Sequence, residues 1–346
     1  MKKLMIPFLL LLSFSTLQVS AQSADDPGAY LTSIDNAQVE MNKTYMAYIS
    51  AAAHSSRKRK IEKMRQQTVE SITNSKYQIM ALPGYKGDNS LRKSGVAYVD
   101  LLYKVFNDDY AHIVNMEDLA EQSIDEMQLY LLMQEKTDDT LKAASEKMNQ
   151  AVNDFAAKYN IKLVDNKSEL GEKMDESGKI TKYRNKVYLL FFKCNWQDNQ
   201  LNDAITKKNL ATIEQARNAL LKFANDGMAG LDTLKAFEND PSLAVACRQA
   251  LAFYKREAEV QIPKVTDYLL KSENFDKIKK SFDAKPESSR TQQDVDGYNK
   301  AVKEMNAAVN TSNQTSTDIF NNRAQVLKNW EDTEKSFADT HTPHYK

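Results

Sequence analysis

The stretch "LPGYKGDNSL" (82–91) interrupts a long run of helix-forming residues with one proline and two glycines. A glycine-rich loop can cradle a phosphate, because glycine lets the backbone approach a ligand closely. The same residues can form a turn between two helices, with an aspartate just before the second helix. The choice between these interpretations depends on whether the glycines are needed.

A second copy of this stretch lies 152 residues further along the chain, as "LKAFENDPSL" (234–243). At the same offset "IEKMR" (61–65) aligns with "IEQAR" (213–217). Seven of the 31 positions from 61 to 91 are identical in the two copies, against roughly two expected at random. This similarity predicts an internal repeat.

The second copy replaces both glycines, so it argues against a phosphate cradle. Ala236 stands in the place of Gly84, and Asn239 in that of Gly87; asparagine tolerates the positive φ of a turn. Both copies keep Asp-x-Ser-Leu, which suits a helix N-terminus. We therefore predict a turn in each copy, with Asp88 and Asp240 as the N-caps of the helices that follow.

The remaining sequence predicts an all-α protein. Only nine glycines and seven prolines occur in 346 residues, whereas residues with high helix propensity are abundant. Apolar residues recur at intervals of three and four, and no segment shows sustained alternation with flanking turn residues. We predict eight main helices in two tandem antiparallel four-helix bundles that correspond to the repeat.

The domain boundaries follow from composition. Residues 22–164 form the predicted first bundle, residues 182–346 the second, and the polar segment 165–181, with two glycines and few apolar residues, the linker.

The N-terminal 21 residues have the pattern of a cleaved signal peptide. Lys2 and Lys3 precede an apolar core, Leu4 to Phe14, that is too short to span a bilayer, and small residues precede Gln22. No cysteine lies there to carry a lipoprotein anchor. We predict an exported protein of the periplasm or cell surface.

Charge and cysteine content exclude several classes. Without the signal peptide the chain has 45 basic and 47 acidic residues, so nothing indicates a nucleic acid as partner. No later apolar run is long enough to predict a transmembrane segment. Cys194 and Cys247 lie in apolar helical patterns, which favours free thiols but leaves a disulfide open.

Few residues carry recognisable chemistry. A dimetal bundle needs Glu-x-x-His pairs, and none occurs. His54 and His112 are isolated, whereas His341 and His344 follow the last helical stripe. The sequence predicts no catalytic, cofactor-binding or metal-binding residue. If a polar site exists, it would be a surface combining aromatic, histidine and acidic residues: Tyr98, Tyr103, His112, Glu117 and Glu121.

The signal peptide, "NKTYMAYISAAAH" (42–54), "MALPGYKGD" (80–88) and "VYLLFFK" (187–193) together carry a resemblance to a known group. The chain resembles an uncharacterised family of bacterial surface proteins, named from a spirochaete member and common in Bacteroidetes-like bacteria. The resemblance implies export, a surface or periplasmic location and no established activity.

These observations predict a non-enzymatic binding or scaffolding protein of the cell envelope, without a cofactor, whose partner is an envelope protein or a glycan. The alternative is an exported small-ligand carrier or enzyme with a site in a cleft between the two bundles.

Overall fold

The computed structural model describes residues 26–55, 57–109, 119–163 and 169–345. The prediction of an all-α protein is confirmed, since the described residues contain no β-strand. The predicted signal peptide lies outside the described residues. The helices described are α1 (Pro27–His54), α2 (Lys58–Ala81), α3 (Ser90–Lys104), α4 (Ile124–Lys158), α5 (Glu169–Thr206), α6 (Leu210–Asp232), α7 (Ser242–Arg256), α8 (Ile262–Asp283) and α9 (Gln292–His341).

Polar side chains begin several of these helices. Asp26 accepts a hydrogen bond of 2.9 Å from a backbone N–H in the first turn of α1. Ser123 and Asn209 do the same for α4 and α6, each at 3.1 Å. Such caps satisfy N–H groups that have no partner within the helix, so they determine where each helix begins. Within the described residues, no helix combines the length and apolarity that crossing a membrane requires.

The chain divides into two compact units. Unit 1 comprises Met1–Asn185 together with Ser336–Lys346, and unit 2 comprises Lys186–Lys335. The boundaries therefore fall within α5 and α9. In unit 1, α1 packs on α2, α2 on α3, and α3 on α4; in unit 2, α6 packs on α7.

The described part of the predicted linker, from residue 169 onward, forms the beginning of α5. Ser177 and Thr181 donate their hydroxyl protons to carbonyls four residues back, and Met174 and Ile180 are buried. Polar residues that bond along the helix, with a few apolar anchors, thus make a helix of a stretch whose composition indicated a boundary.

The two stretches with which the sequence analysis began are turns of the same geometry. Gly87 and Asn239, at equivalent positions, both have positive φ, at 83° and 67°. Asp88 accepts from the Ser90 N–H at 2.8 Å, and Asp240 is bonded in the same way at 2.8 Å. The N-cap residues, however, are the following ones, so each aspartate lies one position before the cap and closes the turn rather than capping the helix.

Each unit also has a π-helical turn at the end of the helix that follows this loop. These turns are Val105–Asp109 after α3 and Glu257–Gln261 after α7, again 152 residues apart. Arg65 of α2 donates to the carbonyl of Phe106, and Arg217 of α6 donates to the equivalent carbonyl of Ala258. A π turn leaves backbone groups out of the regular helical pattern, and the arginines supply a donor to one of them.

Candidate acid–base site

The structure describes three of the five residues of the predicted binding surface, and these three differ in exposure. Tyr98 is buried in the core of unit 1, whereas Tyr103, on the same helix, is exposed. Glu121 is half-buried before α4. His112 and Glu117 lie outside the described residues, so their position relative to the others stays a prediction.

The two cysteines are free and buried in unit 2. The thiol of Cys247 lies 3.7 Å from the carbonyl oxygen of Val187. Burial raises the pKa of both thiols, to about 12 for Cys247. Because the thiolate is the reactive form, these cysteines are inert core residues rather than nucleophiles.

Charged groups meet inside unit 2 at Asp198, Glu257 and Arg323. Arg323 Nη2, on α9, lies 2.8 Å from Asp198 Oδ1 and 2.6 Å from Glu257 Oε1. Its Nε lies 2.7 Å from the second oxygen of Asp198. Asn202, one turn further along α5, donates to Asp198 at 3.1 Å. One arginine thus bridges two carboxyl groups from different elements.

These carboxyl groups are almost completely removed from solvent. Asp198 and Glu257 are each 1% exposed, whereas the Arg323 side chain is 21% exposed. Removing a charge from water is costly unless it is paired and hydrogen-bonded, so the cluster must be held in place by its surroundings. Of the three side chains, only that of Arg323 is partly exposed to solvent.

A groove of about 480 Å³ in unit 2 does not provide access to the cluster. It is lined on α5 by Trp196, Gln200 and Lys207, among others. Asp198 is two residues away from Trp196 and from Gln200, which places it on the opposite side of the helix. The groove and the carboxyl cluster are therefore separate features.

Burial and mutual repulsion determine the protonation of the pair. Burial, together with the charge of Asp198, raises the pKa of Glu257 to about 8, although Arg323 acts in the opposite direction. Burial also raises the pKa of Asp198, against the attraction of Arg323. The raised pKa means that Glu257 keeps its proton to a higher pH than an exposed glutamate does. Near neutral pH the cluster therefore contains a carboxylic acid, Glu257, beside a second buried carboxyl group.

The equivalent positions of unit 1 are apolar. Subtracting the 152-residue offset places Met46 where Asp198 stands and Val105 where Glu257 stands, and both are buried. The π-helical turn forms in both units. Buried charges are thus not needed to make this backbone, and apolar residues in such places are often no less stable. The stability of the backbone therefore does not explain why unit 2 has charged residues at these positions.

Sequence reasoning missed this cluster because its members are far apart along the chain. Glu257 and Arg323 are 66 residues apart, and Asp198 and Arg323 are 125 apart. A search for short motifs cannot find such a site. The predicted repeat offered one signal, since a carboxyl group stands 152 residues after an apolar residue at two positions, Asp198 after Met46 and Glu257 after Val105.

Comparison with known proteins provides one match. A profile of the SAICAR synthetase family matches residues 103–181, which is less than a quarter of the chain. No curated protein and no solved structure matches the chain. The described residues of the matched stretch are largely helical, and the stretch does not include Asp198, Glu257 or Arg323.

This match corrects three predictions made from the sequence. It is a match to an enzyme family, so it contradicts the interpretation as a non-enzymatic scaffold and the prediction that the chain is not an enzyme. It also contradicts the resemblance to a surface-protein family without established activity. The absence of short catalytic motifs was one of the grounds for the non-enzymatic interpretation, but a helical protein can assemble acid–base groups from distant helices without such motifs.

Proposed function

We propose that the protein is an enzyme in which Glu257 transfers a proton to a small polar substrate. The observation that carries the proposal is the buried pair of Glu257 and Asp198, both in contact with Arg323. A carboxylic acid that keeps its proton near neutral pH is the form that a general acid needs. The match to an enzyme family supports the same class of function.

In the proposed reaction Glu257 loses one proton to the substrate and regains one from solvent. Glu257 donates its proton to the substrate and becomes a carboxylate, which the guanidinium of Arg323 stabilises at 2.6 Å. Asp198 holds Arg323 in position through two contacts and favours the protonated form of Glu257 through its own negative charge. A proton from solvent, arriving at the exposed side of Arg323, then restores the acid.

The experiment compares turnover by variants that differ at one carboxyl group. Purified wild-type protein, Glu257→Gln and the control Glu259→Gln are incubated with a bacterial metabolite extract, and mass spectrometry follows depletion. Glu259 is exposed in the same π-helical turn, so Glu259→Gln makes the same side-chain substitution without touching the cluster. We expect the same compound to be depleted by wild type and Glu259→Gln but not by Glu257→Gln. No depletion, or equal depletion by all three proteins, would refute the proposal.

The family match suggests a second candidate function, the synthesis of SAICAR. The supporting observation is the match over residues 103–181. A direct assay for SAICAR formation by the purified protein tests it. Product formed by wild-type protein would establish this activity, and its absence under conditions in which a known SAICAR synthetase is active would exclude it.

We further propose that the chain is exported, on the grounds of its basic N-terminus, the apolar core Leu4 to Phe14 and the small residues before Gln22. Mass spectrometry of protein isolated from its natural source should find an N-terminus at Gln22. The same preparation would show whether an envelope protein or a glycan accompanies it. Protein that retains Met1 would contradict the proposal.

We also propose that the two units derive from duplication of one set of helices. Support comes from the paired turns, the paired π-helical turns and the paired arginine contacts, all at one offset of 152 residues. The arrangement as two four-helix bundles belongs to this proposal.

A further inference from the structure

Unit 1 contains a group of metal-binding residues that lies far from the carboxyl cluster in sequence. His54 ends α1, Asp339 lies in the last turns of α9, and His344 follows that helix. One potential ligand atom of each residue lies within 4.8 Å of those of the other two. The sequence analysis treated His54 as isolated and placed His344 after the last helical stripe; 290 residues separate the two.

The segment that carries His344 is packed against the end of α1. Thr342 is 3% exposed, and the Tyr345 N–H donates to Ser50 Oγ at 3.0 Å. The rings of His54 and His344 stack with centroids 3.7 Å apart. The position of His344 beside His54 is therefore built into the fold of unit 1.

Each ring nitrogen of His54 faces a hydrogen-bond acceptor. His54 Nδ1 lies 2.7 Å from Asp339 Oδ1, and its Nε2 lies 3.2 Å from the carbonyl oxygen of Thr342. A neutral imidazole has one N–H, so it can satisfy only one of these two acceptors. With the ring N–H on Nε2, directed at Thr342, the facing atoms His54 Nδ1 and Asp339 Oδ1 both have lone pairs that a bound metal ion can accept.

We propose that His54, Asp339 and His344 bind a divalent transition-metal ion of the zinc class. Two imidazoles and one carboxylate are the ligand set that zinc accepts in sites with an open position. Zinc binds such ligands at about 2.0–2.2 Å, which puts them roughly 3.4 Å from one another in a tetrahedral arrangement. Binding needs the exposed His344 ring to turn out of its stacked position, since stacked rings do not direct their lone pairs at one point.

The proposal is tested by titrating metal-stripped protein with zinc chloride in a calorimeter at pH 7.5. We expect one zinc ion per chain in the wild type. His344→Ala and Asp339→Asn should each weaken the affinity at least about tenfold, because each removes one of three ligands. His344 is exposed, so its replacement should leave the fold intact.

The control is His341→Gln, which changes the neighbouring histidine that packs on Phe337 and is not part of the group. It should bind zinc as the wild type does. Cobalt(II) provides a second readout, since a tetrahedral site gives intense visible absorption that His344→Ala should abolish. Absence of zinc binding, or equal affinities of wild type and His344→Ala, would overturn the proposal.

Discussion

At the scale of single residues, Glu257 should make the stability of the protein depend on pH. Its pKa is raised from 4.5 to about 8 in the folded state. Between these values the folded protein holds a proton that the unfolded chain has released, so the contribution of Glu257 to the free energy of unfolding falls as pH rises. We expect wild-type protein to lose stability across this window more steeply than Glu257→Gln.

Urea denaturation at a series of pH values measures this difference. Glu259→Gln is again the matched control and should follow the wild-type curve. Parallel curves for wild type and Glu257→Gln would show that Glu257 is ionised in the folded protein, which would also remove the basis for its role as an acid.

Asp88 offers the opposite case. Its hydrogen bonds with Lys158 and the Ser90 N–H lower its pKa, so its contribution is present at neutral pH and is lost as pH falls below about 4. Asp88→Ala should lower the free energy of unfolding by about 1 kcal/mol, as loss of a capping-type hydrogen bond does. Asp88→Asn keeps an acceptor for the N–H but loses the ion pair, and should cost less. A larger loss in Asp88→Asn than in Asp88→Ala by urea denaturation would contradict this account.

At the scale of elements, the turn before α3 should depend on backbone conformation rather than on glycine as such. Gly87 has φ of 83°, and an added Cβ would meet no atom within 4 Å. Gly87→Asn should therefore cost little, as the equivalent Asn239 shows, whereas Gly87→Val should cost about 1–2 kcal/mol because a β-branched residue resists positive φ. Thermal unfolding would compare the stabilities of the two variants. Equal losses of stability would show that the positive φ at residue 87 does not determine the cost of substitution.

The π-helical turn after α7 should depend on Arg217. Its guanidinium bonds Glu214 within α6 and reaches the Ala258 carbonyl in the turn. Arg217→Met keeps much of the apolar stem but removes the donor, so we expect a loss of about 1 kcal/mol and faster hydrogen exchange around Glu257. Arg248→Met is a control that breaks an exposed ion pair with Asp232 outside this turn. Unchanged exchange near Glu257 in Arg217→Met would show that the turn does not need the arginine.

The elements themselves were largely predictable, since α1 follows the apolar spacing of Leu31, Ile34, Met41 and Tyr45. Prediction from local sequence failed where contacts with distant residues determine the secondary structure. The polar segment from residue 169 is helical through buried Met174 and Ile180. The π-helical turns have no local signal, because their stabilising arginines lie 41 residues earlier.

At the scale of the whole molecule, the end of α9 should stabilise unit 1. Phe337 is 2% exposed and stacks on Tyr183, with ring centroids 5.6 Å apart. Phe337→Ala should lower the free energy of unfolding by about 3 kcal/mol through the lost burial and the cavity. Hydrogen exchange should increase in unit 1. Phe320→Ala, at a residue 70% exposed on the same helix, should change stability by less than about 0.5 kcal/mol. If Phe337→Ala increased hydrogen exchange only in residues 186–335, the assignment of Phe337 to unit 1 would be wrong.

The two candidate sites could not be predicted from the sequence. His54 and His344, like Glu257 and Arg323, are brought together by folding, and neither pair has a characteristic spacing. The exchange of Met46 for Asp198 between the two copies is the sort of difference that could have been found beforehand, since it puts a charge where the other copy has a core residue.

The membership of residues 336–346 in unit 1 has a consequence for the order of events during synthesis. The ribosome makes all of Lys186–Lys335 between the two parts of unit 1. At about 5–20 residues per second, that interval lasts roughly 8–30 seconds. During this time helices α1 to α4 lack the contacts that Phe337 makes in unit 1. Unit 2 can fold as soon as its own part of α9 has been synthesised. The half of the protein that is synthesised first is therefore the half that is completed last.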